Sequence, residues 1–223
     1  MVVGDGNDGT YVTPSSTFGA TKLISPGVGP TSSFELYWAD RGVSCFLFDA
    51  SVARPKVNHA NFNFYKKFVG LGKDEITLDL IVESHFSDSD SYIMQMDIEG
   101  GEWEALSPKG ISDSNLLRAN WIVLELHELQ RIVLTDYAWM SETLSRLIEF
   151  FQPIFLNCNN SALPIKVGEI YLPPVIEVTL IRKDLLKELL VFSQSSANEV
   201  GHMHQKFKVP LAASWMPGLE WPL

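Results

Sequence analysis

The chain has 223 residues, of which 46% are hydrophobic and 20% charged, a balance that can bury a large core and excludes a disordered chain. Its formal net charge of -10, from 17 basic against 27 acidic side chains, excludes a phosphate-tracking surface and therefore a nucleic-acid partner. One domain over residues 1–223 is expected, and the two cysteines, Cys45 and Cys158, have no metal-ligand spacing and build no disulfide framework.

Met1 to Thr10 carries neither a basic nor an apolar leader region, and no stretch reaches the roughly 18 apolar residues of a membrane span, so no membrane partner and a cytoplasmic location are expected. The segment to Ser16 reads as a loop or short arm, with a turn at Asn7-Asp8-Gly9 before Tyr11-Val12. A strand follows over Thr21 to Ile24, then a Gly27-Val28-Gly29-Pro30 turn and a helix over Thr31 to Arg41. Ser32 and Glu35 have capping-box spacing, and Pro30 sits where a missing N–H costs little. Val43 to Phe48 is short and apolar enough for a buried strand, so these pieces form one βαβ unit.

Asn61 to Val69 is a candidate strand and Leu78 to Glu83 a helix. Tyr92 to Met96 and Trp121 to Leu126 are further strands, separated by helix-forming patches at Glu102 to Leu106 and Asp113 to Arg118. Trp139, Met140, Leu144, Leu147, Ile148 and Phe151 fall at helical spacing and predict an amphipathic helix whose apolar stripe is core. Ile154 to Leu156 and Val175 to Ile181 read as strands and Arg182 to Phe192 as a charged helix, with an irregular tail from Ser193.

Gly27 and Gly29 bring backbone N–H groups close to a ligand at a helix start, although the third glycine of the dinucleotide fingerprint is absent. Asp49 lies 22 positions after Gly27 at a strand end, where a carboxylate can accept from both ribose hydroxyls of an adenosine cofactor, or can simply form a cap or turn. Asp97, Glu99 and Glu102 crowd three carboxylates into six residues, which raises at least one pKa and suits a cation or a proton-transfer task. Glu102 is the weakest of them, since the first helical turn favours an acid in any case. Glu125 and His127 straddle the next strand end, and Asn157, Asn159 and Asn160 follow the one after it. His127 reads either as a structural histidine or as a base, and the asparagines as turn formers or as site groups.

With these residues in place the chain resembles the FkbM-type family of S-adenosylmethionine-dependent methyltransferases. The matching pieces are Asn7-Asp8-Gly9-Thr10-Tyr11-Val12, Gly27-Val28-Gly29 with Phe34-Glu35, Phe48-Asp49, Thr77-Leu78-Asp79, Met96 to Glu102, Glu125-Leu126-His127 and Asn159-Asn160, over roughly residues 5 to 185. Ser25 departs from the acidic residue that methyltransferases often carry two before the first glycine, and Thr10 from the second glycine of Asp-Gly-Gly-Tyr. The resemblance implies an α/β fold, a Rossmann-like class I methyltransferase sheet that is mostly parallel with a late antiparallel strand and helices on both faces. It implies S-adenosyl-L-methionine as cofactor, bound by Gly27, Val28, Gly29, Glu35, Asp49, Ala50 and Asp97.

The expected reaction is methyl transfer to an oxygen, a hydroxyl of a sugar or other small metabolite, with Asp97 and His127 as candidate bases. Asp8, Tyr11, Glu99, Glu125, Asn159 and Asn160 are the expected substrate-binding or supporting residues. A divalent metal held by Asp97 and an Asn or Glu at a neighbouring strand end is a variant that is not favoured, and no metal ligand is assigned. A nicotinamide oxidoreductase is the rival, against which stand the missing third glycine and the lack of a Tyr-x-x-x-Lys pair. A binding module without turnover is the third reading.

Overall fold

A computed structural model of the chain describes residues 1–6, 9–28, 32–159 and 163–187. The first strands, β1 (Val2–Val3) and β2 (Tyr11–Val12), pair antiparallel. The chain then alternates β3 (Lys22–Pro26), α1 (Ser33–Ala39), β4 (Ser44–Phe48), β5 (Phe62–Tyr65), α2 (Leu78–His85) and β6 (Tyr92–Met96). It continues through α3 (Glu102–Ala105), α4 (Asp113–Leu116), β7 (Ala119–Leu126), α5 (Gln130–Leu134), α6 (Tyr137–Phe150), β8 (Phe151–Cys158), β9 (Ile165–Val167), β10 (Ile170–Leu172) and β11 (Ile176–Arg182).

Seven strands form one sheet in the order β5-β4-β3-β6-β7-β11-β8. All neighbours are parallel except β11, which runs antiparallel between β7 and β8. This is a Rossmann-like arrangement, mostly parallel with a late antiparallel strand, as expected. The chain winds outward from β3 through β4 to β5 and then returns to lay β6 on the other side of β3. That reversal opens a crevice at the carboxyl ends of β3 and β6, where ligands bind in open α/β sheets.

Strand alternation splits the core into two layers because successive side chains point to opposite faces. Ile24, Phe46, Phe48, Met94, Met96, Ile122 and Leu124 pack on one face with α2, α3 and α6. Leu23, Cys45, Leu47, Ile93, Trp121 and Val123 pack on the other with Phe34 and Trp38 of α1. Burial on both faces explains why the central strands read as continuous apolar runs.

Several expectations need correction. The opening arm is a strand pair: Thr13 N–H donates to the Met1 carbonyl at 2.8 Å, and Val3 and Tyr11 are buried against the α1 layer. The expected capping box does not form, because Ser32 takes φ 49° and makes no capping hydrogen bond. Glu35 turns inward to a buried partner instead. The strand expected over 61–69 shortens to β5, with Val69 only bridging Ile76. The small α5 and the β9–β10 hairpin were not expected, having too few residues for a periodic signal. Of the charged helix expected over Arg182 to Phe192, Arg182 ends β11 and a 3-10 turn follows at Lys183–Leu185, while the part from residue 188 and the tail lie outside the described residues.

Arg146 ties α6 to the α3–α4 connection. It is 8% exposed, its Nε donates to Asp113 Oδ1 at 2.5 Å, and its terminal nitrogens donate to the buried carbonyls of Leu106 and Ile111 at 2.8 and 2.6 Å. Arg146→Leu keeps the apolar stem and orphans both carbonyls. It is expected to cost about 2–4 kcal/mol and to lower the thermal midpoint by roughly 5–10 °C, measured by circular dichroism.

Candidate active site

The turn after β3 is set by how closely two strand ends approach. Gly27 has φ 82°, and a Cβ built on it would lie 1.6 Å from the Asp97 carbonyl oxygen, so no other residue fits without moving β6. Gly27 N–H donates to the Phe48 carbonyl at 3.0 Å, and Asp97 N–H to the Pro26 carbonyl at 3.2 Å. The ends of β4, β3 and β6 are thereby joined in one line.

Asp49 sits on that line. Its Oδ2 accepts Val28 N–H at 3.1 Å, and its Oδ1 accepts Ser51 N–H and hydroxyl at 2.7 and 2.6 Å. Both the turn-forming reading of Asp49 and its nearness to the glycine turn are therefore correct. Ala50 is half-buried beside it, whereas Gly29 lies outside the described residues. Glu35 stands apart from this rim, 3% exposed, with Oε1 2.5 Å from Ser25 Oγ. Its place beneath the sheet end does not suit direct cofactor contact.

The second half of the rim gathers around His127, which follows β7. Its Nδ1 lies 3.1 Å from Glu102 Oε1. Its Nε2 lies 3.4 Å from Glu99 Oε2, 3.7 Å from Glu125 Oε1 and 3.9 Å from Asp97 Oδ1. Glu102, the weakest member in the sequence, is wholly buried and also accepts the N–H groups of Ile98 and Gly100 at 2.9 and 3.1 Å. It holds the 98–100 turn in which Glu99 adopts φ 57°. Trp103 Nε1 donates to the His127 carbonyl at 2.7 Å. Thus α3 grips His127 through both its ring and its backbone.

Asn159 Nδ2 donates to Glu125 Oε1 at 2.6 Å, which brings the end of β8 into the cluster. The Tyr11 hydroxyl lies 3.5 Å from Asp97 Oδ2 and accepts from Gln95 Nε2 at 3.1 Å. The structure therefore unites Tyr11, Asp97, Glu99, Glu125, His127 and Asn159, while Asp8 and Asn160 lie outside the described residues. Ser25, Gln95 and Trp103 were missed as site residues. Ser25 and Gln95 had a signal, each being a buried polar residue between two apolar neighbours of its strand.

Backbone strain concentrates here. Among the described non-glycine residues, those with positive φ are Phe18, Ser32, Glu99 and Glu128, and the last two flank His127. Such conformations cost roughly 1–3 kcal/mol each and persist where the surroundings impose them.

The carboxylates shape the charge of the site. Burial lowers the His127 pKa, but the hydrogen bond and charge of Glu102, with the charges of Asp97 and Glu125, outweigh it and push the imidazole up from 6.5 to about 9. Burial first, then Asp97 and Glu177, push Glu125 up from 4.5 to about 7. Burial and the charge of Asp97 hold the Tyr11 hydroxyl well above its usual range. One atom each from Asp97, Glu125 and His127 lie within 4.8 Å of one another, a spacing able to hold a cation.

Both raised groups make the folded state bind more protons than the unfolded one. The Glu125 contribution is lost as pH rises from about 4.5 to about 7, and that of His127 from about 6.5 to about 9, so stability falls with rising pH. Melting curves recorded in chelator are expected to show a midpoint lower by several degrees at about pH 9 than at about pH 6. His127→Gln should flatten the upper half of that fall. An equally steep fall in the variant would show that His127 does not carry it.

No helix among the described residues is long and apolar enough to cross a membrane. A comparison with curated proteins found no match to the chain. The family model described as the methyltransferase FkbM domain matches residues 9–159, the span that contains Tyr11, the glycine turn, Asp49, the 97–102 run, His127 and Asn159. By this match over more than half of its length, the chain belongs to the FkbM methyltransferase family.

Proposed function

We propose that this chain uses S-adenosylmethionine to methylate a hydroxyl oxygen on a sugar or other small metabolite. The observation that carries the reading is the closure of Gly27 on Asp97, which sets the glycine turn and the carboxylate cluster on one crevice at the β3–β6 reversal. Support for the cofactor comes from the same place. Gly27 carries no side chain at the strand end, and small Ala50 follows Asp49. Three donors already occupy Asp49, and an ionised carboxylate has about four acceptor sites, so one remains for a ribose hydroxyl.

When bound, S-adenosylmethionine supplies a methyl group activated on a sulfonium, whose carbon–sulfur pair leaves with sulfur as the acceptor oxygen bonds to the methyl carbon. The protein's part is to align the acceptor and to take its proton. Asp97 Oδ1 lies 3.9 Å from His127 Nε2 and is the group assigned to that task, while His127, its pKa raised to about 9, becomes a proton acceptor only as pH climbs toward that value. Glu125, oriented by Asn159, and the exposed Glu99 are positioned to accept hydrogen bonds from further hydroxyls of the substrate. Asp97 and Glu125 must not hold the sulfonium more tightly than the transition state, where its positive charge is fading.

The proximity of Asp97, Glu125 and His127 ligand atoms favours a second reading, in which a divalent cation there lowers the pKa of the acceptor hydroxyl. Turnover measured in chelator and again with Mg²⁺ restored separates the two. Full activity in chelator removes the metal.

Two substitutions test the main reading. Asp49→Ala is expected to weaken S-adenosylhomocysteine binding by about tenfold or more in isothermal titration, as loss of a charged hydrogen-bond acceptor implies. Asp97→Asn should leave that binding within about threefold and depress turnover by roughly 10²–10⁴. Unaltered binding by the Asp49 variant would mean that the nucleoside lies elsewhere.

A further inference from the structure

Beneath the site, five polar side chains run in single file from the core to the rim. Ser25 Oγ lies 2.5 Å from Glu35 Oε1 and 2.9 Å from Gln95 Oε1. Gln95 Nε2 lies 3.1 Å from the Tyr11 hydroxyl, and that hydroxyl lies 3.5 Å from Asp97 Oδ2, the longest link. Ser25, Glu35, Gln95 and Tyr11 are 0%, 3%, 3% and 4% exposed, so water cannot complete their hydrogen bonds.

Counting protons gives the file a direction. The Gln95 amide oxygen only accepts, so Ser25 must give it its single proton. The close Ser25–Glu35 contact then requires a proton from Glu35. Gln95 N–H donates to the Tyr11 oxygen, which leaves the Tyr11 proton for Asp97.

Turning the Gln95 amide over reverses every bond. Tyr11 would then donate to Gln95 and Ser25 to an ionised Glu35, and the Tyr11–Asp97 contact would need a proton on Asp97. The file thus shares one proton between two end carboxyls, and its polarity records which of them holds it.

Burial decides between the ends, because an ionised carboxylate is costly where no cation or water meets it. Among the described residues no basic side chain pairs with Glu35. The Asp97 side chain is 21% exposed and lies beside His127. Desolvation also pushes the Glu35 carboxyl up.

We infer that Glu35 is a neutral carboxylic acid and a positioning residue, which sets the polarity of the file so that Tyr11 donates to Asp97 and Asp97 stays the ionised proton acceptor. The inference rests on the reading of Asp97 given above. Glu35 acts only through Ser25, Gln95 and Tyr11. Ser25 accordingly suits the place where an acidic residue is common, since a second ionisable group there would compete for the same proton.

The test is an infrared difference spectrum between the full-length protein and Glu35→Gln. The expected result is loss of a carbonyl stretch belonging to a neutral carboxylic acid, the same at about pH 6 and about pH 8. Loss of a carboxylate band instead overturns the proposal. This readout needs no methyl transfer, so it succeeds or fails apart from the enzymatic reading.

Turnover provides the second arm, with folding of each variant checked by its thermal midpoint. The amide of Glu35→Gln still donates to Ser25 and should keep kcat within about threefold, while Glu35→Leu should lower it about tenfold with KM little changed. Equal turnover by the two variants would remove Glu35 from any positioning role.

Discussion

The constraint on which this structure depends is the contact between the backbone of Gly27 and the carbonyl of Asp97, where no side-chain carbon fits. β3 and β6 are neighbours only because the chain reverses its direction of winding between them. Where they meet, the turn after one strand and Asp97 after the other are brought within backbone distance. A bulkier turn would part the strand ends and separate the two halves of the crevice. The fold and the site therefore share one packing condition.

Around that contact the protein concentrates negative charge that would repel itself on an open surface. Asp97, Glu99, Glu102 and Glu125 all approach His127, and of these Glu102 and Glu125 are buried. The arrangement is sustained by donors from several elements: the N–H groups of Ile98 and Gly100, the amide of Asn159, and the imidazole itself. Each carboxylate consequently has its own environment: Glu102 is locked in the backbone of a turn, Glu125 lies beside an asparagine, Asp97 beside the Tyr11 hydroxyl, and Glu99 is exposed at the surface. Similar side chains become a clamp, a raised-pKa acid and a rim group through their surroundings.

Much of the sheet was legible in the sequence. The apolar runs at Val43 to Phe48, Tyr92 to Met96 and Trp121 to Leu126 became β4, β6 and β7, since strands buried on both faces have little choice of residue. The helical stripe that begins at Trp139 became α6, because a helix covering a sheet must bury one apolar face, although Phe151, expected at its end, opens β8 instead. Legibility failed where a local rule met a tertiary alternative. The Ser32–Glu35 spacing read as a capping box, but Glu35 found a buried partner in Ser25 and α1 started without that cap. Tyr11 and Val3 looked like part of a loose arm, yet their burial depends on the α1 layer, which lies far along the chain.

The sequence by itself determined the family, the strand and helix alternation, and the residue types at the strand ends, because periodicity, glycine turns and carboxylate runs are local properties of a chain. Only the tertiary structure decided which of those residues meet. His127 acquired four carboxylate neighbours, Asp49 its bond to Val28, and Glu35 its connection to Asp97 through residues that no spacing rule links. The physical reason is that hydrogen bonding and desolvation act through space, and the order in which parallel strands are laid side by side cannot be read from the strands themselves.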